Sequence, residues 1–154
     1  MFEQRHLQRL HVVWQRRPLY FITTCVAHRR PLLAASSVHA ILREEWISWR
    51  VRHGWAVGRY VIMPDHVHFF AIPMSEGSRS LAATVGKWKE WTAKRILKLR
   101  GGAAPLWQPE FFDHLLRSRE SFREKWDYVR NNPVRSGLVG EPDAWRYAGW
   151  IDFQ

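Results

Sequence analysis

WAVGRYVIMPDHVHFFAI, residues 55–72, is the stretch on which the fold turns. Residues 55–63 are rich in β-branched and aromatic side chains and read as a strand. Pro64 and Asp65 make a turn. Residues 66–72 read as a second strand, closed by Pro73. Side chains two apart on a strand share a face, roughly 6.6 Å apart along the chain. His66 and His68 therefore project together, while Val67 points the other way, into the core.

Working outward, residues 19–27 are again β-branched and aromatic and predict a strand. Ser36 and Ser37 can cap a helix that runs to about residue 52. Val38, Ile41, Leu42, Trp46 and Trp49 fall on one of its faces, and Gly54 stops it. On the C-terminal side, Ser78 or Ser80 starts a second helix with Leu81, Val85, Trp88, Thr92, Ile96 and Leu99 on one face. Gly101 and Gly102 end it. Residues 111–116 predict an edge strand, and residues 120–131 a last helix stopped by Asn131-Asn132-Pro133.

The order strand, helix, strand, strand, helix, strand matches the split βαβ, ferredoxin-like plan. The expected class is α+β. Helices cover one face of an antiparallel sheet, and the other face is left for ligand or for the appended C-terminal helix. No repeat or long linker interrupts the chain, so residues 1–154 are expected to form one domain. Residues 1–17 read as a basic N-terminal arm and residues 134–154 as a Trp-rich tail.

The charge narrows the partner. Lys and Arg number 24 against 14 Asp and Glu, a formal net charge of +10. Such a balance favours a polyanion. Several of the ten tryptophans sit beside basic residues, as at Trp14, Trp49 and Trp88. Aromatics interleaved with cations suit single-stranded nucleic acid, although burial in the core is the ordinary fate of a tryptophan. The single cysteine, Cys25, reads as a small buried residue. No stretch approaches the roughly 20 apolar residues of a membrane span, and no apolar signal core follows the charged N-terminus. The expectation is a cytoplasmic protein with no membrane partner.

Two imidazoles on one strand face can hold Mn, Zn, Co or Ni, or Mg if phosphate and water complete the shell. The bland alternative is a pair of solvent-facing structural histidines. A second feature is Tyr128, four residues before Asn132 on the last predicted helix, so the two share a face. An Asn carboxamide oxygen is a possible third ligand. A phenol ionises near pH 10 and attacks phosphate poorly unless the phosphate is polarised, with about 10 its ordinary pKa. Taken alone, Tyr128 is a helix tyrosine packing on the core.

Together the two features resemble a known family. A His-hydrophobic-His strand followed by Tyr-x-x-x-Asn on a helix is similar to the HUH endonucleases. Among these, the resemblance is to the single-tyrosine transposases associated with bacterial repetitive extragenic palindromes (REP). Trp107-Gln108-Pro109, Phe112-x-His114, Asp127-Tyr128 and Asn132-Pro133-Val134-Arg135-x-Gly137 resemble that family's C-terminal hallmark. The resemblance runs from about Leu19 to Trp150.

The resemblance implies that His66 and His68 hold a divalent metal, Mg or Mn, that Asn132 is the third ligand, and that Tyr128 is the nucleophile. It implies cleavage and joining of single-stranded DNA at palindromic hairpins through a 5′-phosphotyrosine link. No ATP is needed, and the chain has no phosphate-binding loop motif. His114 carries no clear role in it, while Asp65 stands where the family has an acidic residue and either orients His66 or makes the turn, the turn being the first reading. Two basic clusters are candidate DNA contacts: Arg5, Arg9, Arg16 and Arg17 in the arm, and Lys87, Lys89, Lys94 and Arg95 on the second helix, beside Lys98. Related insertion-sequence enzymes exchange tyrosine helices as dimers. The short turn before the last helix here favours a monomer. Two rival readings are a catalytically silent hairpin-binding module of the same fold and a metal-dependent RNase that forms no protein adduct.

Overall fold

The computed structural model describes residues 18–154. The N-terminal arm, with Trp14 and its four arginines, lies outside the described residues. Five strands form one sheet: β1 (Leu19–Cys25), β2 (Trp55–Ile62), β3 (His66–Pro73), β4 (Phe112–Leu116) and β5 (Ala148–Trp150). Their order is β4-β1-β3-β2-β5, and every neighbouring pair is antiparallel. The helices are α1 (Ser36–Ile47), α2 (Trp49–Arg52), α3 (Leu81–Arg100), α4 (Arg119–Arg130) and α5 (Asn132–Arg135).

Alternation along β3 sorts the molecule into layers. Val67, Phe69 and Ala71 face a core shared with α1 and α3. Trp46 of α1 lies 5.1 Å from Phe69 and stacks on Trp88 of α3 at 5.5 Å; Trp88 stacks in turn on Trp107 at 5.1 Å. The residues between, Phe70 and Ile72, face a second core with Phe122 and Trp126 of α4. Phe70 and Phe122 meet edge to face at 4.8 Å. Val129, one turn on, packs with Val61 and Met63. Helices therefore lie on both faces, and α4 shares its face with His66 and His68.

Two local readings are corrected, and a third is extended. The predicted first helix breaks at Ser48, whose hydroxyl donates to the Glu45 carbonyl at 2.6 Å. Such back-bonding by serine competes with the helix ladder. The last predicted helix ends where expected, at Arg130 with Asn131 as its cap, and a short helix α5 follows that the sequence reading did not foresee. Pro133 falls in the first turn of α5, where its missing N–H costs no bond. Beyond α5 the chain turns at Gly137, with φ of 74°. Leu99, expected on the buried face of α3, is 55% exposed in its last turn.

The tail does more than cap. Its strand β5 pairs with β2, and Trp145 donates its indole N–H to the Ile62 carbonyl at 3.0 Å. The register between β2 and β3 slips between Val57 and Tyr60. Gly58 sits in that slip, and a side chain there would lie 2.5 Å from the Phe153 ring. The glycine is what lets the tail seal this end of the sheet.

Candidate active site

The two imidazoles emerge from β3 at its first and third residues. Their rings stand edge to face, with centroids 4.8 Å apart. In each ring Nδ1 is already engaged. Asp65 accepts from Nδ1 of His66 at 2.7 Å, and the Thr23 hydroxyl meets Nδ1 of His68 at 2.7 Å. Thr23 arrives there because the β1–β3 register sets it directly opposite His68. With Nδ1 tied back, Nε2 is the nitrogen left for an ion, and such outer partners fix a ligand ring's tautomer and angle.

Asp65 is itself held. Arg29 donates from Nε to its second carboxylate oxygen at 2.8 Å, and Nη1 of Arg29 lies 3.1 Å from buried Cys25. His28 and Arg29 both have positive φ, 59° and 55°, an uncommon conformation for residues with side chains. That backbone turn aims the Arg29 guanidinium at Asp65. Asp65 thus makes the turn and orients His66, a second role that its place in the sequence did not favour.

Burial pushes His68 down to about 3, helped by His66 and by the charges of Lys125, Arg135 and Arg29. Burial also lowers His66, although Asp65 pulls it back up. Burial would raise Asp65, but its bonds to His66 and Arg29 hold it below the ordinary carboxylate range. Near neutral pH the pair therefore consists of two neutral imidazoles beside an ionised carboxylate. Neutral imidazole is the form that binds metals.

Asn132, the first residue of α5, brings its carboxamide nitrogen to 3.3 Å from Nε2 of His66. Oxygen and nitrogen of a carboxamide occupy nearly the same shape. Turned over, the group presents its oxygen to the same point. Two imidazole nitrogens and one amide oxygen suit a divalent first-row ion, or Mg completed by water and phosphate. Among the described residues no group of three or more His, Cys, Asp or Glu is placed to hold a metal, so the carboxamide is what makes the set more than a pair.

Tyr128 stands on α4, on the same face of the sheet as the histidines, and is 66% exposed. The core reading of this tyrosine does not hold. Arg135 lies over its ring at 4.0 Å, a cation–π distance. One turn earlier, Lys125 sits 5.1 Å over the Phe21 ring, and Phe21 stacks on His68 at 5.3 Å. Thr23, Arg29 and Lys125 were not singled out from the sequence, and Arg135 stood out only as part of the C-terminal hallmark. Only the strand register and the turn into α5 bring them here.

The basic clusters fare differently. Arg5, Arg9, Arg16 and Arg17 lie outside the described residues. On α3, Lys89 donates to the carbonyls of Gln108 and Glu110 at 2.9 and 2.8 Å, and Arg95 bonds Glu44 and Glu45. Lys87 and Lys94 flank Glu90 at 3.4 and 3.5 Å. This helix also packs on the sheet face away from the imidazoles. Its basic side is therefore an ion-paired outer surface rather than a wall of the site. Trp49 and Trp88, read beside their basic neighbours as stacking candidates, are core residues.

No family model matches the chain. The REP-associated tyrosine transposase of Escherichia coli is 26% identical over 130 residues, covering 84% of this chain and 74% of the relative. A Haemophilus influenzae relative is 24% identical over 98 residues, covering 58% of this chain and 55% of its own. A solved REP-associated tyrosine transposase bound to a REP hairpin superposes with a TM-score of 0.69 at 24% identity, covering 85% of this chain and 75% of that one. In sequence and in fold the chain is thus similar to REP-associated tyrosine transposases.

Proposed function

We propose that the chain is a metal-dependent single-strand DNA endonuclease and strand transferase acting at palindromic hairpins. One observation carries this reading: the helical path that bears Tyr128 also delivers Asn132 to Nε2 of His66, at 3.3 Å. Phenol, imidazoles and carboxamide thus belong to elements on one face of the sheet. The hairpin bound by the solved relative supports a hairpin partner here.

In this reading the Tyr128 oxygen attacks a phosphodiester phosphorus in line. The Oη–P bond forms as the P–O3′ bond breaks. The phenol proton is lost to solvent, and the departing 3′-oxygen takes one up. The product is a 5′-phosphotyrosine with a free 3′-hydroxyl, and attack by another 3′-hydroxyl reverses the step and joins strands. A divalent cation on His66, His68 and Asn132, Mg or Mn, supplies charge withdrawal from a non-bridging phosphate oxygen. Arg135 and Lys125 add fixed positive charge where the phosphate enters. The sheet order β4-β1-β3-β2, with β5 added at the far edge, supports reading the fold as a split βαβ, ferredoxin-like plan. Because Phe122, Trp126 and Val129 of α4 pack on their own sheet, the tyrosine serves its own chain, which favours a monomer. The site of action is the cytoplasm, where the DNA is; no helix among the described residues is long and apolar enough to cross a membrane.

The test is incubation with labelled hairpins carrying single-strand flanks, with and without Mn, read on a denaturing gel. Wild type is expected to give a DNA–protein adduct that survives denaturant. Tyr128→Phe is expected to lose the adduct and keep hairpin affinity within a few fold. An adduct that persists in Tyr128→Phe removes Tyr128 from the role.

A further inference from the structure

Phe112 is an aromatic side chain with an unusual place. It sits on β4, the outermost strand at this edge of the sheet, and is 68% exposed. Its register partner is Thr23, and Thr23 is in turn the partner of His68. Directly paired residues of antiparallel strands point to the same face. Phe112, Thr23 and His68 therefore form one row across three strands, on the face that carries the metal-binding pair. Two strand spacings separate the outer members, about 10 Å.

The next row on the same face is Phe70, Phe21 and His114. Phe21 stacks on His68, and Lys125 of α4 reaches over the Phe21 ring. A lysine ammonium therefore stands beside this strip of sheet, whose outer edge carries the exposed Phe112 ring. Exposed aromatics beside cations suit single-stranded nucleic acid.

We infer that Phe112 is a stacking platform for a base next to the reacting phosphate, with Lys125 on the intervening backbone. This rests on the proposed nuclease reading and adds the substrate contact. About 10 Å spans one to two nucleotides of single strand, so a phosphate at His66 and His68 sets a neighbouring base at the Phe112 ring. Stacking of this kind tolerates any base but requires that the nucleotide be unpaired. The partner segment is therefore the single-strand flank of the hairpin, not its stem.

The test measures binding by fluorescence anisotropy on a Tyr128→Phe background, which keeps the DNA intact. The ligands are a hairpin alone, a hairpin with a four-nucleotide flank on either side, and flanked hairpins with one abasic position each. Phe112→Ala is expected to weaken flanked-hairpin binding about tenfold and leave the bare hairpin unchanged. Phe112→Tyr is expected to restore it. One abasic position within two nucleotides of the cut is expected to cost the parent about the same factor, and to cost Phe112→Ala nothing more. Equal affinity of Phe112→Ala and parent for flanked hairpin overturns the inference, as does an abasic penalty that survives in Phe112→Ala. If Phe112→Ala fails to fold, an abasic scan of the parent with no sensitive flank position overturns it alone. A dimer in sedimentation that Phe112→Ala abolishes assigns the ring to an interface between copies and overturns it too. A parent that binds flanked hairpins without any dependence on Phe112, while the protein with Tyr128 cuts them, sinks this inference only. A parent that binds no hairpin sinks the nuclease reading along with it.

Discussion

Asn132 and His66 lie sixty-six residues apart in the chain, and their side chains meet at 3.3 Å, carboxamide nitrogen to Nε2. The contact exists because the chain, after α4 ends at Arg130, opens directly into α5 with Asn132 as its first residue. Asn132→Ala is expected to weaken Mn binding about ten- to a hundredfold, read by calorimetry. Asn132→Asp is expected to bind at least as tightly, since a carboxylate is a stronger oxygen donor to these ions. Unchanged affinity in Asn132→Ala would remove the side chain from the ligand set.

Thr23 touches His68 rather than any ion. Thr23→Val keeps the shape of the side chain and deletes the hydroxyl that fixes Nδ1 at 2.7 Å. A loss of about ten- to a hundredfold in metal affinity or cleavage is expected, the usual cost of removing an outer-shell partner. Asp65→Asn acts on His66 by the same route. Thr23→Ser, which retains the hydroxyl, is expected to recover most of the loss; if it behaves like Thr23→Val, packing rather than the hydrogen bond explains the effect.

The metal-free protein is expected to be acid-labile. His68 is held down at about 3, and His39, His53 and His66 are also lowered, each chiefly by burial. The unfolded chain takes up protons near pH 6.5, its ordinary histidine value, while folded His68 does not. Stability is therefore full above about pH 6.5 and is lost as pH falls towards 3. Each such group contributes at most about 1.4 kcal/mol per pH unit. Melting temperature followed from pH 7.5 to 4.5 in chelator should fall more steeply for wild type than for His68→Gln. Parallel curves would show that His68 protonates freely in the fold.

Trp88 separates core from DNA contact. It lies between Lys87 and Lys89 in sequence, yet is buried between Trp46 and Trp107. Trp88→Ala is expected to cost about 3–5 kcal/mol in denaturant unfolding. Trp88→Phe should cost less and, while folded, bind hairpin like wild type. A folded Trp88→Phe with selectively weakened DNA binding would contradict this assignment.

Much of the fold is legible in residue order because burial imposes periodicity. The pair strand–turn–strand over residues 55–72 is visible as two β-rich runs around Pro64-Asp65, and β2 and β3 form there. The buried stripe of α1, from Val38 to Trp46, follows from 3.6-residue spacing. His66 and His68 share a face because strand periodicity is two. These are properties of a segment by itself, and sequence determines them.

The rest needed contacts between distant segments. Which residue stands opposite His68 depends on strand register, and nothing near Thr23 in sequence announces it. Whether Lys89 and Arg95 are free or committed depends on carbonyls and carboxylates brought up from residues 108–110 and 44–45. Asn131-Asn132-Pro133 reads locally as a stop, and α4 does end there, but the short helix that follows, with Pro133 buried, is not announced by the sequence. Periodicity sets which way a side chain points along its own element; only tertiary packing sets what it meets there.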